Sequence, residues 1–279
     1  MHMENLGPKQ ISIDDESVQG DPRDKSIRIL WTGGWDSTFR VLYATLVEGK
    51  RVEPHYIIDT GRASSLHELR AISRVRDLLR TSNKPAYDRV STLQITSGNE
   101  IPEDMEITNS WKRLRCRIDL ARQYDWLARY AKSKSLTDLE LCVERGGGMY
   151  SYLKEKVEQT SFGTYRLKRG LAVGEGGEVF ARFEFPILEY TKAQMRDIAK
   201  KNGFIDILEK SWFCHEPING RPCGMCSPCV LAVEEGVRYR LPRMALFRYH
   251  LVQFVRRSPL SNVKLVRHIY HFLRYNPNH

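Results

Sequence analysis

Apolar positions along the chain alternate between two periods. Ile27, Ile29, Leu30 and Trp31 read as a short buried strand, and Thr32, Gly33 and Gly34 as a tight turn. Phe39, Leu42, Tyr43, Leu46 and Val47 then recur at helical spacing, with Gly49 as a stop. Residues 52–59 repeat the strand and Thr60 to Arg62 the turn. Leu66, Leu69, Ile72, Val75 and Leu79 carry a second helix, with Ser65 and Glu68 at capping-box spacing. A third strand is predicted at 93–96 and a loop at 97–109. One helix over 114–132 follows, striped by Leu114, Ile118, Ala121, Tyr124, Ala128 and Ala131. Residues 139–143 read as a fourth strand, the E-R-G-G-G run from Glu144 as a flexible loop, 163–179 as a hairpin or lid, and 179–187 as a fifth strand. Thr191 and Gln194 form a second capping-box pair, with Lys192 opening the helix.

Strand, turn and helix twice over predict an α/β fold with a parallel sheet. The expected architecture is a Rossmann-like, mainly parallel five-stranded sheet with helices on both faces and a small zinc-binding helical subdomain at the C-terminal end. The parts are a flexible arm at 1–25, a nucleotide-binding-type α/β domain at 26–205, to which the resemblance given below assigns ATP, and a cysteine-rich knuckle with a basic helical subdomain at 206–279. Ligands of such sheets bind at the carboxyl ends of the strands, near the topological switch.

With 279 residues and 41% apolar content, a sizeable core is expected. No apolar run reaches the length of a membrane span. The polar, acidic beginning carries no signal-peptide pattern, so a cytoplasmic location is expected. The net charge of +10 is uneven: from Gly236 onward there are nine Lys and Arg and no acid, against 35 bases and 34 acids before it. That stretch is interleaved with aromatics such as Tyr239, Phe247 and Phe254. It reads either as helices with basic outer faces or as a docking surface for a nucleic acid or an acidic protein. Arg113, Arg115, Arg117 and Arg122 likewise read as a solvated face or as a source of one arginine for an anionic ligand.

A turn that opens a helix presents unpaired N–H groups and the positive end of the dipole to an anion. At T-G-G-W-D-S-T, Gly33 and Gly34 allow close approach and Thr32, Ser37 and Thr38 offer hydroxyls. Asp36 beside a phosphate needs a cation between them, so it reads as a Mg²⁺-side or orienting group. The alternative is a glycine turn with an aspartate cap. Thr60 and Gly61 are expected beside this turn, where a backbone edge meets adenine.

Cys214, Cys223, Cys226 and Cys229 stand as C-x8-C-x2-C-x2-C. Four thiolates in sixteen residues suit a closed tetrahedral Zn²⁺ site, with Pro and Gly between them for tight turns. Two disulfides are the alternative. Cys116 and Cys142 read as buried thiols.

The T-G-G-W-D-S-T order resembles the S-G-G-x-D-S signature of PP-loop ATP pyrophosphatases, with Trp35 inside the loop. Residues 185–217, followed by C-G-M-C-S-P-C, resemble the C-terminal half of 7-cyano-7-deazaguanine synthases, the QueC family. The two stretches cover about a third of the chain, in the family's order. The resemblance implies ATP as substrate with Mg²⁺, cleavage between the α and β phosphates, and structural zinc. It also implies phosphate contact by Lys192, with Asp36 and Ser37 beside it. A 7-deazaguanine carboxylate would be adenylated and passed to ammonia, giving the nitrile preQ0. The family also suggests a homodimer. Its P-G-R-N and D-C-R-P-E-type segments are absent, and Ala232 stands where an arginine follows the last cysteine. Transfer to a protein amine, as in bacterial antiviral defence, is therefore the alternative acceptor. A PP-loop tRNA-modifying enzyme and a non-catalytic ATP-binding scaffold are the other readings.

Overall fold

A computed structural model of the protein describes residues 26–168, 170 and 177–257. The expected N-terminal arm, part of the Gly-rich stretch and the tail beyond Arg257 lie outside the described residues.

The elements in order are β1 (Ile27–Leu30), α1 (Trp35–Leu46), β2 (Val52–Ile58), α2 (Ser65–Ser82), α3 (Lys84–Asp88), β3 (Gln94–Ser97), α4 (Met105–Arg115), α5 (Gln123–Ser133) and β4 (Leu139–Glu140). They continue with α6 (Gly148–Leu153), β5 (Val157–Gln159), β6 (Tyr165–Leu167), β7 (Phe183–Glu184), α7 (Lys192–Lys201), α8 (Ile205–Leu208), α9 (Ser227–Glu234) and α10 (Arg243–Arg257). Five strands form one parallel sheet in the order β3-β2-β1-β4-β7. The chain grows outward from β1 to β3, then returns to the other side of β1 with β4. The reversal therefore falls between β1 and β4, at the two strand ends that carry Thr32 and Cys142. The separate β5–β6 hairpin is antiparallel.

Period-two alternation sends successive β1 residues to opposite cores. Ile29 and Trp31 pack with α1, α2, α7 and α8 through Phe39, Leu42, Ile72 and Met195. Leu30 packs on the other face with Trp111 and Leu114 of α4 and Leu127 and Tyr130 of α5. A third core joins the four cysteines to Ala232, Leu241, Ala245 and Val252. α8 packs into the sheet's own core through Leu208, beside Phe204 at its cap.

Buried arginine pins the layers together. Arg40 of α1 meets Glu140 of β4 through two bonds of 2.8 Å, and its third arm reaches Glu48 at 2.8 Å. Burial raises the Glu140 pKa, while the Glu140 carboxylate opposite Arg40 holds the guanidinium charged.

Several expected elements differ. The predicted loop at 97–109 contains the start of α4, where the Asp104 side chain accepts from the Ile107 N–H. The predicted helix over 114–132 is two helices. α4 ends at Arg115, capped by Cys116, and the chain bends before α5, with the Trp111 indole donating to the Ala121 carbonyl across the bend. Leu66 of the predicted α2 stripe is 67% exposed. The Ser65/Glu68 capping box does not form. Glu68 instead accepts from the Ser64 hydroxyl at 2.6 Å and the Tyr56 hydroxyl at 2.8 Å. The hairpin falls at 157–167, earlier than expected, and the fifth strand is only two residues long.

Candidate functional site

A cavity of about 970 Å³ opens over the carboxyl ends of the parallel strands, at the β1/β4 reversal. Its walls come from the β1–α1 turn, the end of β2, α5, the glycine loop 146–148, the start of α7 and the cysteine knuckle.

The β1–α1 turn is built around one conformational demand. Gly33 has φ +70, and a Cβ there would lie 2.6 Å from the Glu68 carbonyl oxygen. Only glycine fits both the backbone angle and the close approach. The Ser37 hydroxyl accepts from the Thr32 N–H at 3.2 Å and lies 3.1 Å from the Thr32 hydroxyl. Gly34 is the helix cap residue, so Asp36 lies in the first helical turn and is not the cap. Thr38 is turned into the core, where its hydroxyl accepts from the Trp31 indole at 3.1 Å. It therefore stands apart from the cavity lined by Thr32, Gly34, Trp35, Asp36 and Ser37.

Asp36 Oδ1 is buried with no hydrogen-bond partner among the described residues. Burial, followed by the nearby Glu144 carboxylate, pushes its pKa up to about 7, against the opposing pull of Lys192. Lys192 opens α7 in the capping box expected from the sequence, with the Thr191 hydroxyl accepting from the Gln194 N–H at 3.2 Å. Its ammonium sits 2.9 Å from Glu144 and 3.0 Å from Glu235. Those carboxylates and Asp36 raise its pKa despite the opposing burial. Lys192 thus stays cationic beside the turn.

The expected adenine edge at Thr60 and Gly61 is placed differently. The Thr60 hydroxyl lies 3.3 Å from Asn99, the Gly61 N–H donates to Asp59 at 3.0 Å, and the cavity wall is formed by Asp59 and Arg62 instead. Arg113, Arg115, Arg117 and Arg122 are all exposed, and none of them lines the cavity. Its arginines are Arg62, Arg145, Arg196 and Arg240. The Arg240 guanidinium stands 5.4 Å from the Trp35 ring centre and 4.9 Å from that of Phe213.

The four cysteine sulfurs all lie within 4.8 Å of one another, and all four residues are buried. Two of the separations are 3.8 and 3.9 Å. A tetrahedron of thiolates around Zn²⁺ has edges of about 3.8 Å, while a disulfide requires about 2.05 Å. The donor set and spacing therefore fit a metal ion such as zinc. N–H groups of Cys223, Met225 and Cys226 donate to cluster sulfurs at 3.2–3.3 Å, which stabilises negative thiolates. Buried Arg248 of α10 donates to the Cys223 carbonyl at 2.8 Å, adding a positive charge beside them. Gly224 has φ +81, and a Cβ would fall 1.9 Å from the Ala245 carbonyl oxygen, so α10 rests directly on the knuckle.

The knuckle also braces the turn. The Trp212 N–H donates to the Gly33 carbonyl at 2.8 Å, and its ring stacks on His67 at 4.7 Å. Glu235, at the end of α9, carries the second contact.

Glu144, Glu235, Arg62, Arg240 and His55 were not singled out from the sequence. Glu144 borders the glycine loop that was. Glu235 lies six residues beyond Cys229, and nothing in its local pattern marks it as facing Lys192. Among the described residues no helix is long and apolar enough to cross a membrane. Comparison with protein-family models and with curated proteins returns no match to this chain.

Proposed function

We propose that this chain is a QueC-like ATP-dependent ligase that adenylates a 7-deazaguanine carboxylate and transfers it to a nitrogen nucleophile. The observation that carries this reading is the meeting of an anion-accepting turn, the cation Lys192 and the unpartnered Asp36 oxygen in one cavity at the sheet's reversal point. This is the position that parallel α/β sheets reserve for ligands.

In the reaction, a substrate carboxylate oxygen attacks the α-phosphorus of ATP and pyrophosphate leaves. Ammonia then displaces AMP to give an amide. A second adenylation of the amide oxygen and loss of AMP give the nitrile. The chain's part is positioning and charge stabilisation. N–H groups at the start of α1 face the phosphate chain, with the Ser37 and Thr32 hydroxyls closing the turn. Lys192 carries positive charge toward the leaving pyrophosphate. Glu144 and Glu235 hold the Lys192 ammonium in place. Asp36 would hold Mg²⁺, a fit suggested by its orphaned oxygen. The ion when bound draws charge from phosphate oxygens. The four cysteines would hold Zn²⁺ in a closed site, leaving it a structural role.

The test is product analysis with ATP, ammonia and 7-carboxy-7-deazaguanine. AMP and preQ0 are expected, and release of ADP would reject the reading. A second reading, transfer to a protein amine, is favoured by cavity size: about 970 Å³ is at the top of the 300–1,000 Å³ range of small-molecule sites. A secondary amide cannot dehydrate to a nitrile, so the acceptor would gain the base mass. Intact-mass analysis of protein acceptors separates the two outcomes.

A further inference from the structure

The cavity has a second end, far in character from the phosphate turn. On β2, His55 faces the α5 side of the sheet, beside Leu30 in register. It lines the cavity with Tyr124, Trp126 and Leu127 of α5. His55 is only 3% exposed. Its Nδ1 lies 2.7 Å from the Tyr130 hydroxyl, which fixes the ring. Its Nε2 is buried and has no partner among the described residues. Burial lowers the His55 pKa, so the ring is held neutral. Gln123, one turn before Leu127, also lines this end, and its side-chain oxygen accepts from Arg62 at 3.1 Å.

We infer that His55 Nε2 and the aromatic face of α5 form a base subsite, which reads the hydrogen-bonding edge of a planar, uncharged nitrogen heterocycle of purine size. A buried polar atom left unpaired costs about 1–3 kcal/mol. A ligand that supplies the partner recovers that loss. A neutral imidazole presents either one donor or one acceptor at Nε2, according to the proton on Nδ1. That suits a heterocycle edge, which offers both, and suits neither a carboxylate nor a phosphate, for which a cation serves better. Tyr124 and Trp126 supply the flat apolar walls that a ring stacks on. Tyr124 is itself braced edge-on by Phe180 at 5.5 Å.

This inference rests on the proposed function only for the names of the two candidate bases: the adenine of ATP and the 7-deazaguanine of the carboxylate. The chemistry is shared, and the experiment separates them. Titration calorimetry is run with adenosine, 7-carboxy-7-deazaguanine and inorganic pyrophosphate on wild type, His55→Asn and His55→Gln. Asparagine keeps a partner for Tyr130 and removes the group at the Nε2 position, while glutamine reaches that position. His55→Asn is expected to weaken one of the two bases by about 3–10-fold, the value of one hydrogen bond. His55→Gln restores most of it, and pyrophosphate binding is unchanged in both. The base that responds identifies the occupant. Should His55→Asn not fold, ¹⁵N spectra of the wild-type imidazole are decisive, because Nε2 shifts on adding the bound base and not on adding pyrophosphate. Wild-type binding of neither base, unchanged base affinity in His55→Asn, or an unmoved Nε2 signal would overturn the inference. Loss of pyrophosphate binding alone, with the base result intact, would instead count against the proposed function.

Discussion

Asp36 holds the most informative charge in the protein. Its carboxyl stays protonated to about pH 7 in the fold, whereas an unfolded aspartate ionises near 3.9. Between those values the folded state binds more protons than the unfolded state. Stability contributed at this residue is therefore present at low pH and lost as pH rises toward 7. Asp36→Asn removes the buried charge. Thermal melts should show the variant matching wild type near pH 4 and exceeding it at pH 8, with AMP formation abolished. A constant difference across pH would show that Asp36 ionises normally. At the same scale, Gly33→Ala forces a left-handed backbone angle on a residue with a Cβ, against the Glu68 carbonyl. A loss of at least roughly 1–3 kcal/mol is expected in urea titration. Gly33 was legible in T-G-G-W-D-S-T, because glycine acts there through local backbone geometry. Thr38 was misread for the same reason: local spacing offers a hydroxyl, and only the packing of Trp31 against α1 turns it inward. His55 was illegible, since its partner Tyr130 lies 75 residues away.

Among the elements, α1 is the one that several layers share. Its N-terminus faces the cavity, its apolar side meets α7 and α8, and Arg40 crosses to β4. A helix buried on so many sides cannot show a single clean stripe, and Tyr43 and Leu46 of the expected stripe are only half-buried. The Arg40–Glu140 pair ties α1 to β4 through two buried bonds. Glu140→Gln leaves a buried guanidinium with only Glu48, and should cost about 3–5 kcal/mol in denaturant titration. Replacing both partners, as Arg40→Met with Glu140→Met, should cost less than the single change, because no charge is then stranded. A double variant worse than the single would refute that account. That the sheet is parallel was foreseeable from strand–helix alternation, but its strand order was not. Nor was the α4–α5 break, because Leu114, Ile118 and Ala121 continue a helical period through the bend. The bend is bridged by a tertiary bond from Trp111.

Across the whole molecule, the cysteine knuckle and the cavity form one mechanical unit. The knuckle's leading segment holds the Gly33 carbonyl through Trp212, and its helix α9 ends on Glu235, which holds Lys192. Arg240, from the segment between α9 and α10, stands over Trp35. Three contacts thus run from the cysteine core to the turn and to the cation opposite it. Four thiolates packed within 4.8 Å of one another repel unless a cation or protons neutralise them. The spacing C-x8-C-x2-C-x2-C marked the four cysteines that cluster, but not the cluster's reach into the cavity, which depends on contacts across the chain. One zinc per chain is expected by metal analysis, with removal of the ion loosening both ends of the unit. Structural zinc in small peptides contributes about 10–16 kcal/mol, so Cys226→Ser should lose most soluble protein. A milder probe is Glu235→Gln, which leaves the cluster intact and frees Lys192 on one side. It should retain full zinc and wild-type stability within about 1 kcal/mol, as for a partly exposed ion pair, while changing pyrophosphate affinity. Chelation of wild type should change pyrophosphate affinity as well. Zinc-free protein that binds pyrophosphate as tightly as the loaded form would mean that the two sites are mechanically independent.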